Sequence, residues 1–228
     1  MSAARAGGPR APAAGAPGAK VVLGLKAHSG WAALVALGFR RPGARELDGA
    51  GAQVVERRRL DLFEKGSEWV KAPYHAAESL KPEEARRMVD RGVAAAHRNA
   101  ARALRETVSR LRAAGHDPVA CAILVGTSMP SWTTDEILAV HFRMHKAEGV
   151  LWRDALASGA KDAGLAVVPV PEKELQEIAP DVLHESWSAV TARVDAFRKA
   201  VGAPWGKDQK DAAIAALVGR RRAGRASR

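Results

Sequence analysis

"KVVLGLKAHSGWAALVAL", running from Lys20 to Leu37, is the stretch that sets the fold class. From Val21 to Leu25 every residue is apolar or glycine. A strand with one wet face alternates apolar and polar residues, so this unbroken run predicts a strand covered on both faces. Ser29-Gly30 breaks it, and a second apolar run continues to Leu37. "AQVVERRRLDLF" (52–63) is a further strand candidate, with Val54, Val55, Leu60 and Leu62 as its apolar residues. The pair resembles a hairpin joined through the Gly/Pro-rich segment 38–51.

Beyond residue 80 the period changes from that of strands to that of helices. Pro82, followed by Glu83 and Glu84, suits a first helical turn. Helical patterning then runs to Gly115, a suitable C-cap. "PVACAILVG" (118–126) is a short continuous apolar run, the pattern of a buried strand. Residues 133–164 predict a second long helix, with Thr133 or Thr134 as N-cap and Gly164 as C-cap. "LAVVPVP" (165–171) predicts another strand. Residues 181–202 and 207–220 predict two helices separated by "APWG". Strands that alternate with helices indicate an α/β fold with a mixed, partly parallel sheet flanked by helices.

The chain has 228 residues, 47% of them apolar, which is enough for one packed domain. That domain is expected over residues 20–219, between a disordered tail (1–19) and a basic tail (220–228). Eight of the net +11 charges lie in residues 1–20 and 220–228, where no acid offsets them, leaving +3 for residues 21–219. Tails of this kind either bind phosphate backbones without sequence preference or are simply solvated ends. The single cysteine, Cys121, excludes an intramolecular disulfide and a cysteine-rich zinc site, and it fits a reducing compartment. No apolar run is long enough to span a bilayer, so no membrane partner is expected. The N-terminus lacks an apolar signal core, so the expected location is the cytoplasm.

Candidate site residues come from three places. Lys26, His28 and Ser29 close the first strand, where α/β sheets build their sites. Lys26 suggests an anion or phosphate, and Ser29 offers a hydroxyl; an ordinary polar turn is the alternative. Thr127 and Ser128 follow the "AILVG" strand in the same manner. In the second long helix, a stripe of Val140, Met144, Leu151 and Ala155 faces the core, with His141 and Glu148 at its edge and His145 beside them. His141, His145 and Glu148 read as ligands of a divalent metal, as an acid–base pair, or as a hydrogen-bonded polar cluster. His75 and Glu78 either reach the same cleft or lie on a local turn facing solvent. "YHAAE" (74–78) and "MHKAE" (144–148) share H-x-A-E. Asp208 and Asp211, one turn apart at a helix start, either favour the helix dipole or supply carboxylates to a metal or phosphate site.

"VVLGLKAHSGWAALVAL" with its turn, and "DQKDAAIAAL" (208–217), are similar to the first strand and the Asp-bearing last helix of the ribonuclease H-like superfamily, especially bacterial Holliday-junction resolvases. The resemblance covers residues 20–219 in outline and implies a ribonuclease H-like fold. It also implies carboxylates for two divalent ions. Asp208 and Asp211 match that pattern. Lys26 stands where the first aspartate is expected, and "AILVGTS" ends without an acid. Two functions follow. One is a metal-assisted hydrolase acting on a phosphate-containing or nucleic-acid substrate, with Lys26, Ser29, His141, Glu148 and Asp211 at its site. The other is a non-catalytic nuclease-like module that binds nucleic acid or a protein partner.

Overall fold

In the computed structural model, which describes residues 18–39, 51–67, 69 and 71–226, the opening stretch forms two strands of a five-stranded sheet. β1 (Lys20–His28) turns at Ser29-Gly30 into β2 (Trp31–Phe39), which pairs antiparallel with β3 (Ala52–Asp61). On its other side β1 runs parallel to β4 (Asp117–Val125), and β4 runs parallel to β5 (Ala166–Pro171). The order is β3-β2-β1-β4-β5, so β1 is central. The joining segment 40–50 and the tail residues 1–17 lie outside the described residues.

Both faces of β1 are buried because both are roofed by helices. Val21, Leu23 and Leu25 pack with Leu104 of α2 (Pro82–Ala113) and Trp152 and Leu156 of α4 (His141–Asp162). Val22, on the opposite face, packs with Ala212, Ala216 and Leu217 of α8 (Lys207–Ala226). α5 (Leu175–Leu183) and α6 (Trp187–Ala196) complete that layer. Gly24 is where α8 crosses the sheet. A Cβ there would come within 1.8 Å of the Ala212 carbonyl oxygen, so only glycine admits the helix backbone this closely. No helix among the described residues is long and apolar enough to cross a membrane.

Four local expectations need correction. The apolar run 31–39 is a strand in its own right, so three strands precede the helices. The expected helix over 133–164 is two helices. α3 (Thr134–Leu138) is closed at its start by a Thr133–Glu136 capping box, and Val140 is extended before α4 begins. The break rotates Val140 out of the core stripe, leaving it 41% exposed. The expected helix over 181–202 is interrupted after α5, where His184 takes the left-handed conformation at φ 57°. It resumes as α6 and the short α7 (Arg198–Val201). Finally, residues 220–226 are not a separate tail: α8 continues to Ala226, Arg222 donates to the Pro169 carbonyl, and the Arg220 guanidinium lies 5.7 Å from the Phe39 ring.

Candidate functional site

Side-chain alternation decides what meets at the carboxyl ends of the parallel strands. Val22, Gly24 and Lys26 share the α8 face of β1. Lys26 is therefore delivered to the first turn of α8, where Asp208 and Asp211, three residues apart, lie on one helix face. The Lys26 Nζ is 2.7 Å from Asp211 Oδ2, 3.0 Å from Glu172 Oε1 and 3.3 Å from Asp208 Oδ1. Three carboxylates thus meet the three N–H donors of one ammonium. Lys26 is only 7% exposed, and an ammonium buried to that degree without partners would be strongly disfavoured. Burial pulls its pKa down, but the hydrogen bonds and charges of Asp211 and Glu172 outweigh burial and hold it above the ordinary lysine value.

Two further basic side chains approach the same acids. Lys207 Nζ lies 2.5 Å from Asp211 Oδ2. His28 Nε2 lies 3.1 Å from Asp208 Oδ2, and its ring stacks on Trp31 at 4.2 Å between centroids. Ser29 is exposed in the hairpin turn and joins none of this. Glu172, the member the sequence reading missed, is the first residue after β5, where its backbone N–H donates to the Val125 carbonyl at 2.8 Å. Its signal in the sequence is alternation, since Val168, Val170 and Glu172 share one parity.

His141, His145 and Glu148 belong to a second cluster on the other side of the sheet. The turn between α3 and α4 places His141 and His145 one above the other at the start of α4. Their Nε2 atoms are 3.1 Å apart. α1 (Pro73–Ala77) carries His75 against them, with ring centroids 5.1 Å from His141 and 4.4 Å from His145. Glu148, only 5% exposed, faces His75. Its Oε1 is 3.0 Å from His75 Nδ1, off the line of an ideal hydrogen bond, and accepts from the His75 backbone N–H at 3.3 Å. Glu78 Oε1 lies 3.3 Å from His141 Nδ1. The two H-x-A-E segments therefore lie together in space. His75 takes its carboxylate from the second segment, and the first segment's Glu78 reaches His141.

Between the clusters an open cleft of about 510 Å³ lies at the ends of β4 and β5. Thr127 and His145 line it with Lys146, Arg153, Lys173 and Lys207, and Glu172 is its one acid. The single composite pocket expected from the sequence does not form. Of Lys26, Ser29, His141, His145, Glu148 and Asp211, only His145 lines this cleft. Lys26 and Asp211 are drawn to the α8 face of the sheet, and His141 and Glu148 to the α4 face.

No protein-family profile and no curated protein matches the sequence. Among solved structures, that of Thermus thermophilus RuvC is similar, at 14% identity and a TM-score of 0.50 over 90% of this chain and 96% of that one. This is a ribonuclease H-like fold. A structure of T. thermophilus RuvC in complex with a Holliday junction substrate matches over the same shares, at 14% identity and a TM-score of 0.49. Two divalent ions do not fit this chain's acid cluster. The Lys26 ammonium already stands among the three carboxylates that would hold them, and Lys207 shares Asp211 Oδ2 with it.

Proposed function

We propose that this protein is a nucleic-acid-binding module on a ribonuclease H-like scaffold, without two-metal cleavage, and that the cleft between α4 and α8 takes the phosphate backbone. The observation that carries the reading is the charge at this sheet edge. The acids are turned onto Lys26 and Lys207, while the cleft presents Lys146, Arg153 and Lys173 against Glu172 alone. A cationic groove beside internally neutralised carboxylates attracts polyanions and leaves no carboxylate set free for a pair of divalent ions. The net charge of +11 strengthens the same attraction at long range.

Fluorescence anisotropy with labelled duplex, single-stranded and branched DNA, across a range of salt, tests this. Arg153→Glu and Lys173→Glu should each weaken binding about tenfold and lower the log–log salt slope by about 1 for each phosphate that is no longer neutralised. With magnesium or manganese the bound DNA should stay intact. Cleavage that disappears in Asp211→Asn would overturn the reading, as would binding indifferent to both charge reversals. A chain lacking residues 1–19 measures the share contributed by the N-terminal segment.

A further inference from the structure

We infer that His75, His141 and His145 form a mononuclear site for a transition metal of the zinc class, and that Glu148 and Glu78 act behind them as orienting carboxylates. The site stands apart from the phosphate-binding reading, because metal uptake is measured without nucleic acid. One nitrogen from each imidazole lies within 4.8 Å of the other two. In tetrahedral zinc geometry, with Zn–N near 2.0–2.1 Å, ligand nitrogens sit roughly 3.3 Å apart. The His141–His145 pair, at 3.1 Å, is already there. The widest separation closes by about 1.5 Å, within reach of ring rotation at two exposed helical histidines.

The carboxylates decide which nitrogens face the centre. Glu78 beside His141 Nδ1 favours the proton on that nitrogen, and Glu148, 3.0 Å from His75 Nδ1, stands where it favours the same tautomer once the ring turns into line. Each Nε2 then carries a lone pair. The His75 Nε2, like its Nδ1, is buried and has no hydrogen-bond partner among the described residues, and the His141 Nε2 lies 3.1 Å from His145 Nε2. Lone pairs on two rings, with the His145 Nε2 3.1 Å from one of them, gather in one small volume that suits a cation. A carboxylate behind a ligating histidine is the usual means of fixing that tautomer. Imidazole donors suit zinc, cobalt, nickel and copper over magnesium or calcium. Three protein ligands leave a coordination position open, and His145 sets the site at the margin of the cationic cleft.

The test is calorimetric titration of the tag-free full-length chain with zinc chloride, and with cobalt chloride followed by visible absorption. The expected result is one equivalent of zinc bound with submicromolar affinity and the intense d–d bands of low-coordinate cobalt. His141→Ala and His145→Ala, both at exposed positions and hence tolerant of folding, should each weaken zinc binding by more than about 100-fold. Glu148→Gln should weaken it by about 10–100-fold. Asp208→Asn, in the other cluster, should leave it unchanged, with circular dichroism confirming the fold of every variant. Absence of stoichiometric binding, or binding that survives both histidine variants, would overturn the assignment. So would loss in Asp208→Asn with retention in His145→Ala.

Discussion

Replacing Lys26 with methionine removes the ammonium from among three carboxylates and keeps the volume of its stem. Deleting one member of a buried ion pair costs about 3–5 kcal/mol, because the remaining charge is left without a partner. That range is an upper limit here. Glu172 and Asp208 have side chains 38% and 29% exposed and can turn toward water. Asp211, at 12%, cannot, but it keeps Lys207 at 2.5 Å. About 2–3 kcal/mol remains, which for a domain of this size lowers Tm by about 4–12 °C. The variant should also acquire a response that the wild type lacks. Once the ammonium is gone, a divalent ion can enter the carboxylates. At 10 mM magnesium and a Kd near 1 mM, it would restore about 1.4 kcal/mol, or about 3–6 °C. Differential scanning fluorimetry of both proteins with and without magnesium decides the matter. A wild type that gains as much from magnesium as the variant refutes the claim that Lys26 holds the metal's place, and an unchanged Tm in the variant refutes the energetics.

The same lysine sets a pH dependence. Its folded pKa is raised, so its stabilisation is fully present below the unfolded value of about 10.4 and is lost as pH rises toward and through the folded value. The stability gap between wild type and Lys26→Met, measured by urea denaturation, should therefore hold steady from pH 8 to 10 and shrink above that. Gly24→Ala drives a methyl group into the Ala212 carbonyl, and it should cost about 3 kcal/mol and lower Tm by about 6–12 °C. Cys121 is fully buried, and burial pushes its thiol pKa up, so a thiol reagent should label it only at the rate of unfolding.

The central strand was legible because burial on both faces leaves a plain mark: Val21 to Leu25 carries no polar residue, and the structure puts helices on either side. α2 and α8 were legible for a related reason, since each keeps one helical period between recognisable ends. What escaped were the interruptions. The stretch 133–164 has no proline or glycine near Val140, and its periodicity carries across the break. The stop lies in the backbone: the five-residue helix that the Thr133–Glu136 capping box opens ends at Leu138, and Val140 is extended before α4 begins. His184 ends α5 in a left-handed conformation that glycine usually supplies, so it carries no signal in residue type.

The candidate residues divide along the same line. Asp208 and Asp211 could be found because a helix fixes their spacing and a familiar pattern surrounds them. Their partner Lys26 could be found because it ends the central strand. Its chemistry could not be read there, because an isolated lysine at a strand end suggests an anion, while three carboxylates around it make it the counter-charge. Glu172 completes that triad from just beyond the end of β5, and its local mark is parity with Val168 and Val170. On the opposite face, the helical register of α4 puts Glu148 with His141 and His145 as if all three were equivalent donors. The structure separates their roles, since Glu148 is turned inward to His75, 73 residues away in sequence, and His75 takes the third place beside the two helical imidazoles. Spacing along one helix can nominate donors. Which donor faces the centre and which stands behind depends on how α1 packs against α4, and that packing exists only after the chain has folded.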